Sequence, residues 1–130
     1  MARKITPQEH RIEPWRNGLG AAAAIADSAR TRPDGEPLWR LSLARMTAAA
    51  DFSDWGGWLR VLTVVEGPGL RLDWPEGTRV AAALRPCRFP GAPAPHGAPL
   101  GAVAANLNLI ADPALGVRAV PLRLRGPVTL

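Results

Sequence analysis

Two histidines, His10 and His96, and one cysteine, Cys87, are all the imidazole and thiol groups in this chain. His10 lies in a polar N-terminal stretch and His96 in a proline-rich one, and neither has a partner at metal-ligand spacing. A site built from several imidazoles and a carboxylate cannot be assembled from them. Cys87 has no partner for a disulfide and no His/Asn constellation to activate it, so it reads as a small core residue. Gly18-Leu19-Gly20 is too brief to cradle a phosphate. Glu66 or His96 has the chemistry of a general base, but nothing in the sequence orients either. The expectation is therefore a protein without metal or cofactor, and more readily a binding protein than an enzyme.

The chemistry that does stand out is cationic and amide, set inside apolar strands. Arg40 and Ser42 alternate with Trp39, Leu41 and Leu43; Arg60 interrupts the run from Leu59 to Val65; Asn106 and Asn108 alternate with Leu107 and Leu109. If the leucines pack outward, the arginines, serine and asparagines share an interior face. A buried guanidinium must be paired, since an uncompensated one costs several kcal/mol. Two partners satisfy that demand. One is an internal acid such as Glu66, bracing the sheet. The other is an anionic small molecule received by convergent Arg and Asn groups.

These residues need strands to hold them, and the composition favours strands. The chain has 130 residues, enough for one domain, with 47% hydrophobic and 21% charged residues, which excludes a disordered tail. Its 13 Gly and 14 Pro are too many for a helical bundle. Period-two alternation marks strands over 38–46, 58–65 and 70–74, a short one near 79–84, and further ones over 103–111 and around Leu122 and Leu124. Glu66-Gly67-Pro68-Gly69 turns the second into the third, and Pro33-Asp34-Gly35 is another turn. Residues 1–13 read as an extended lead-in, 47–57 as a loop and 89–101 as a structured connector. The block Ala21–Ala24 suits a helix or a closely packed small-residue strand equally. An all-β sandwich or barrel follows.

The net charge is +5, carried by fifteen Arg and one Lys. A preference for Arg suits planar contacts with carboxylate or phosphate, and equally reflects a GC-rich genome. The arginines form no basic arm. Five tryptophans could stack bases, which keeps a basic β-sheet nucleic-acid module as the alternative reading. No apolar run approaches bilayer length, so the chain reads as soluble, cytoplasmic and free of membrane.

Taken in order, Pro14-Trp15-Arg16-Asn17-Gly18-x-Gly20, Trp39-Arg40-Leu41-Ser42-Leu43-Ala44, Phe52-Ser53, Arg60 with Leu62-Thr63-Val64 and Glu66-Gly67, Arg88-Phe89-x-Gly91 and Asn106-Leu107-Asn108-Leu109 form a series. That series resembles the HutD/Ves family of bacterial cupin-like proteins, across residues 14 to 110. The resemblance implies an all-β, cupin-like sandwich or jelly-roll barrel without metal-binding histidines and with no established catalytic reaction. It also implies association with histidine utilisation, through an intermediate such as formylglutamate or urocanate, for HutD members, or with stress responses for Ves members. Three departures stand out: Ala22-Ala23-Ala24 replaces a polar stretch, Gly56 a proline, and Asn106 an aspartate. Family members generally carry two cupin halves. Residues 1–130 read as one such domain, short by comparison, with 111–130 as the start of a truncated second half and a homodimer supplying the missing pairing. A degenerate cupin with a purely structural role is a further alternative. The anionic ligand is expected to meet Arg40, Ser42, Arg60, Asn106, Asn108, Glu66 and Asn17, with Trp15 as an apolar wall.

Overall fold

Alternating apolar and polar side chains produce strands at almost every place the period predicts. The computed structural model describes residues 5–15 and 21–120. In chain order the strands are β1 (Arg11–Pro14), β2 (Ala21–Asp27), β3 (Trp39–Met46), β4 (Ala50–Asp51), β5 (Leu59–Glu66), β6 (Gly69–Trp74), β7 (Gly77–Ala82), β8 (Cys87–Pro90), β9 (His96–Pro99) and β10 (Ala104–Ala111). The helical turns described are 3-10 turns at Pro7–Glu9 and Pro113–Leu115. The stretch read as an extended lead-in thus holds a 3-10 turn and the start of β1. The alanine block is a strand, and the expected strand around Leu122 lies outside the described residues.

The strands form two antiparallel sheets, one ordered β1-β2-β3-β10-β5-β8 and the other β4-β9-β6-β7. Residues directly opposite one another share a face, so register fixes what points inward. Across the larger sheet, Ala44, Asn106 and Val64 form one inward row; Ser42, Asn108, Leu62 and Cys87 form the next; Arg40, Ile110, Arg60 and Phe89 form a third. The main core sits between the sheets, where Leu62, Val64, Phe89 and Met46 meet Leu70, Leu72, Ala81 and Phe52. This arrangement is a β-sandwich.

Two irregularities redirect side chains from where strict alternation would send them. On β5, one extra residue between the partners of Ala105 and Asn106 sets Glu66 opposite Ala105 while Val64 stays opposite Asn106. Such a bulge moves the later residue to the other face. On β2, a shift between Ala24 and Ala26 brings Asp27, not Ala26, opposite Arg40.

The connector over 89–101 is more ordered than its prolines suggest, because Gly97 lets β9 pair between β4 and β6. A Cβ there would stand 2.5 Å from a ring carbon of Phe52. Neighbouring Gly91 is closer still to the chain: its Cβ would lie 2.0 Å from the Trp55 carbonyl oxygen. That contact lets the Trp55 amide donate to Gly91 O (2.9 Å) and the Gly91 amide to Trp58 O (2.7 Å), pinning the 52–58 loop against the sandwich.

Candidate functional site

Toward the β1–β2 end, the inner face of the larger sheet is not filled. Ala22, Ala24 and Ala44 present methyl groups where larger side chains would close the space, and a cavity of about 380 Å³ remains. A cavity of this size suits a small metabolite. Its far wall is the 52–58 loop, contributing Phe52, Ser53 and Trp55, and β1 contributes Arg11, Glu13 and Trp15.

At the deep end lies Arg60, 5% exposed. One terminal nitrogen donates to the backbone carbonyl of Ser53 (3.2 Å) and the other to Asn108 Oδ1 (2.9 Å). The guanidinium carbon sits 4.9 Å from the ring centre of Phe52 and 5.7 Å from that of Phe89, a geometry in which aromatic faces attract a cation. Both polar partners are neutral, and no carboxylate reaches Arg60 among the described ion pairs. Burial pushes its pKa down to about 10, so the charge persists at neutral pH.

The amides extend this arrangement. Asn108 Nδ2 donates to Asn106 Oδ1, and Asn106 is fully buried with its own Nδ2 free of any partner. Among the described residues, the buried side-chain atoms left without a partner are Arg40 Nε, Arg60 Nε and Asn106 Nδ2. All three are N–H donors. A wall that offers donors and already consumes its own acceptors is complementary to anionic or carbonyl oxygen.

Arg40 is placed differently. It lies over the Trp55 ring at 5.1 Å and is paired with Glu36, from the loop ahead of β3. At the mouth, Arg11 pairs with Asp27 (3.5 Å) and Glu13 (3.7 Å). The structure thus brings Arg40, Ser42, Arg60, Asn106, Asn108 and Trp15 to one cavity. Glu66 is not among them: the β5 bulge turns it to the outer face, where it pairs with Arg45 at 3.4 Å across Ala105. Asn17 lies outside the described residues. Sequence reasoning did not assign Glu36, Asp27, Arg11, Glu13, Phe52, Ser53 or Trp55 to the site. Most of these lie in loops or beyond a bulge, where no period signals which way a side chain points.

His96 pairs with Asp51 (2.7 Å) at an exposed position away from the cavity. Among the described residues no group of His, Cys, Asp or Glu is arranged to hold a metal ion. Two tryptophans are spent on packing: Trp55 and Trp58 meet edge to face at 6.0 Å, with Arg32 over Trp58 at 4.3 Å. Trp74 is anchored by donating its indole N–H to Pro93 O (3.0 Å). No helix of the described residues is long and apolar enough to cross a membrane.

Two antiparallel sheets with a polar cavity on the inner face of the larger one form a cupin-like fold. In agreement, the fold is shared with a sugar phosphate isomerase of the cupin superfamily from Silicibacter pomeroyi, at 18% identity and a TM-score of 0.54 over 84% of this chain. Within that class the chain belongs to the HutD family, whose model matches residues 7–123. It is similar to the solved HutD of Pseudomonas fluorescens SBW25, with 31% identity and a TM-score of 0.73, the match covering 84% of this chain and 59% of that one. It is also 39% identical over 72 residues to an uncharacterized 21.2 kDa protein in the hutC 3′ region of Pseudomonas putida, a match covering 52% of this chain and 35% of the relative. The chain therefore spans about three fifths of the solved HutD and matches about a third of the curated relative.

Proposed function

We propose that this chain binds a small carboxylic acid, without transforming it, in the cavity between β2, β3, β10 and the 52–58 loop. The observation that carries the reading is Arg60: a buried guanidinium held only by neutral acceptors. A cation kept in such a place is compensated when an anion arrives, and a carboxylate satisfies a guanidinium with two parallel hydrogen bonds. The unpartnered donors of Arg60, Asn106 and Arg40 support the same ligand chemistry. The hutC-region position of the Pseudomonas putida relative makes intermediates of histidine utilisation, formylglutamate and urocanate, the first acids to try. We also propose that the protein is cytoplasmic, where a single unpaired cysteine suits a reducing compartment, and homodimeric through the apolar outer face of the larger sheet.

Thermal unfolding with each acid tests the binding reading. At a hundredfold excess over Kd, wild type gains about 3 kcal/mol by mass action, a rise in Tm of several degrees. Arg60→Ala loses that gain. A wild type that no carboxylate stabilises, or an Arg60→Ala variant that responds as wild type does, overturns the reading.

A further inference from the structure

Two of the three cavity guanidiniums, Arg40 and Arg60, stand in one row of the larger sheet, Asp27–Arg40–Ile110–Arg60, read across β2, β3, β10 and β5, while Arg11 lies on β1. Two strand spacings separate the Cα atoms of Arg40 and Arg60, about 10 Å. Their chemistry is nevertheless unequal. Arg60 has neutral partners alone, whereas Arg40 already holds a carboxylate, that of Glu36.

Glu36 is delivered there by a built turn. Arg32 donates its amide to the Glu36 carbonyl (2.8 Å), Gly35 donates to Arg32 O (2.9 Å), and the Glu36 amide donates to Asp34 Oδ1 (3.0 Å). These bonds fix the Glu36 backbone four residues ahead of Arg40, with its side chain on the cavity wall. Arg40 is held from the other side by Trp55. Glu36 therefore occupies the position a second ligand carboxylate would take.

We infer that Glu36 selects the charge of the ligand. This inference rests on the carboxylate-binding reading of the cavity. As built, the site accepts one carboxylate at Arg60; a second one reaches Arg40 only in exchange for Glu36. A monocarboxylate leaves the Glu36–Arg40 pair intact. A dicarboxylate meets a cation already neutralised and a like charge beside it, so its second charge contributes nothing net in wild type.

The matched pair glutarate and glutaramate, which differ by one carboxylate exchanged for a carboxamide, tests this by calorimetric titration of the full chain. Wild type binds the two within about threefold of each other. Glu36→Gln, which removes the charge and keeps the shape, tightens glutarate by about tenfold or more and leaves glutaramate within about twofold, a selective gain of the kind that comes from removing a repulsive element. Circular dichroism checks the fold of the variant. Glu36→Asp, which keeps the charge but shortens its reach, gives a smaller gain with the same selectivity. If Glu36→Gln changes both affinities equally or neither, while Arg60→Ala still abolishes binding, the role of Glu36 is wrong and the cavity reading stands. If neither acid binds wild type or Glu36→Gln, both fall together.

Discussion

Burying the Arg60 guanidinium among neutral partners costs the fold stability at neutral pH. Its pKa falls from the ordinary guanidinium range to about 10 on burial, so the unfolded chain holds this proton more tightly than the folded one. The penalty is complete below about pH 10 and fades as pH rises above it towards the ordinary guanidinium range, where the unfolded chain also gives the proton up. A depression of that size corresponds to about 3 kcal/mol at neutral pH. Replacing Arg60 by Met removes the buried charge but takes its donor from both Asn108 Oδ1 and the Ser53 carbonyl, which returns about 1 kcal/mol for each. The net expectation is a ligand-free Arg60→Met protein about 1 kcal/mol more stable than wild type and unable to bind carboxylates. Urea unfolding at pH 7 and pH 10.5 checks both parts, with the advantage of the variant shrinking at the higher pH. A variant less stable than wild type at pH 7 would show that the neutral partners already compensate the charge.

Among the elements, the 52–58 loop makes the cavity into a site, and Gly91 sets that loop. A Cβ at Gly91 would collide with the backbone of Trp55, so Gly91→Ala must push the loop outward. That displacement would break the paired Trp55–Gly91 and Gly91–Trp58 hydrogen bonds and carry the Ser53 carbonyl away from Arg60. The expected loss is about 2–3 kcal/mol of stability together with weakened carboxylate binding, read by thermal unfolding and titration. The same loop marks the limit of what alternation reveals. Period two correctly set Arg40 and Ser42 opposite Leu41 and Leu43, and Asn106 and Asn108 opposite Leu107 and Leu109, because these strands are regular. It failed for Glu66, since one inserted residue on β5 reverses the face and no residue type advertises the bulge. It also passed over β9, whose His96-Gly97-Ala98-Pro99 has neither alternation nor β-branching and is a strand by virtue of its neighbours. Glu36 and Trp55 lie outside the strands, where contacts distant in sequence decide their direction.

For the molecule as a whole, the question is what lies against the other side of the larger sheet. Leu43 and Leu107 sit opposite one another there, with Leu41 and Leu109 in the next row; all four are half-buried, whereas Thr63 and Val61, which continue the same rows on β5, are buried within the chain. Ile12, on the same face through its pairing with Ala23, is 76% exposed. An apolar strip on a sheet face is stabilised by being covered. A second copy seated face to face would bury about 800 Å² on each partner in an interface of ordinary size. Because the cavity opens on the opposite face, assembly and ligand binding are separable. Light scattering after size exclusion is expected to give twice the 13.8 kDa of one chain. Leu107→Glu, which places a charge at the centre of the strip, is expected to give the single-chain mass while carboxylate affinity stays within about twofold, as for sites that share no partners. A single-chain mass for wild type at about 50 µM, well above the Kd of a stable interface of this size, would remove the dimer. A Leu107→Glu protein that dissociates and also loses carboxylate binding would show that the two faces are coupled after all.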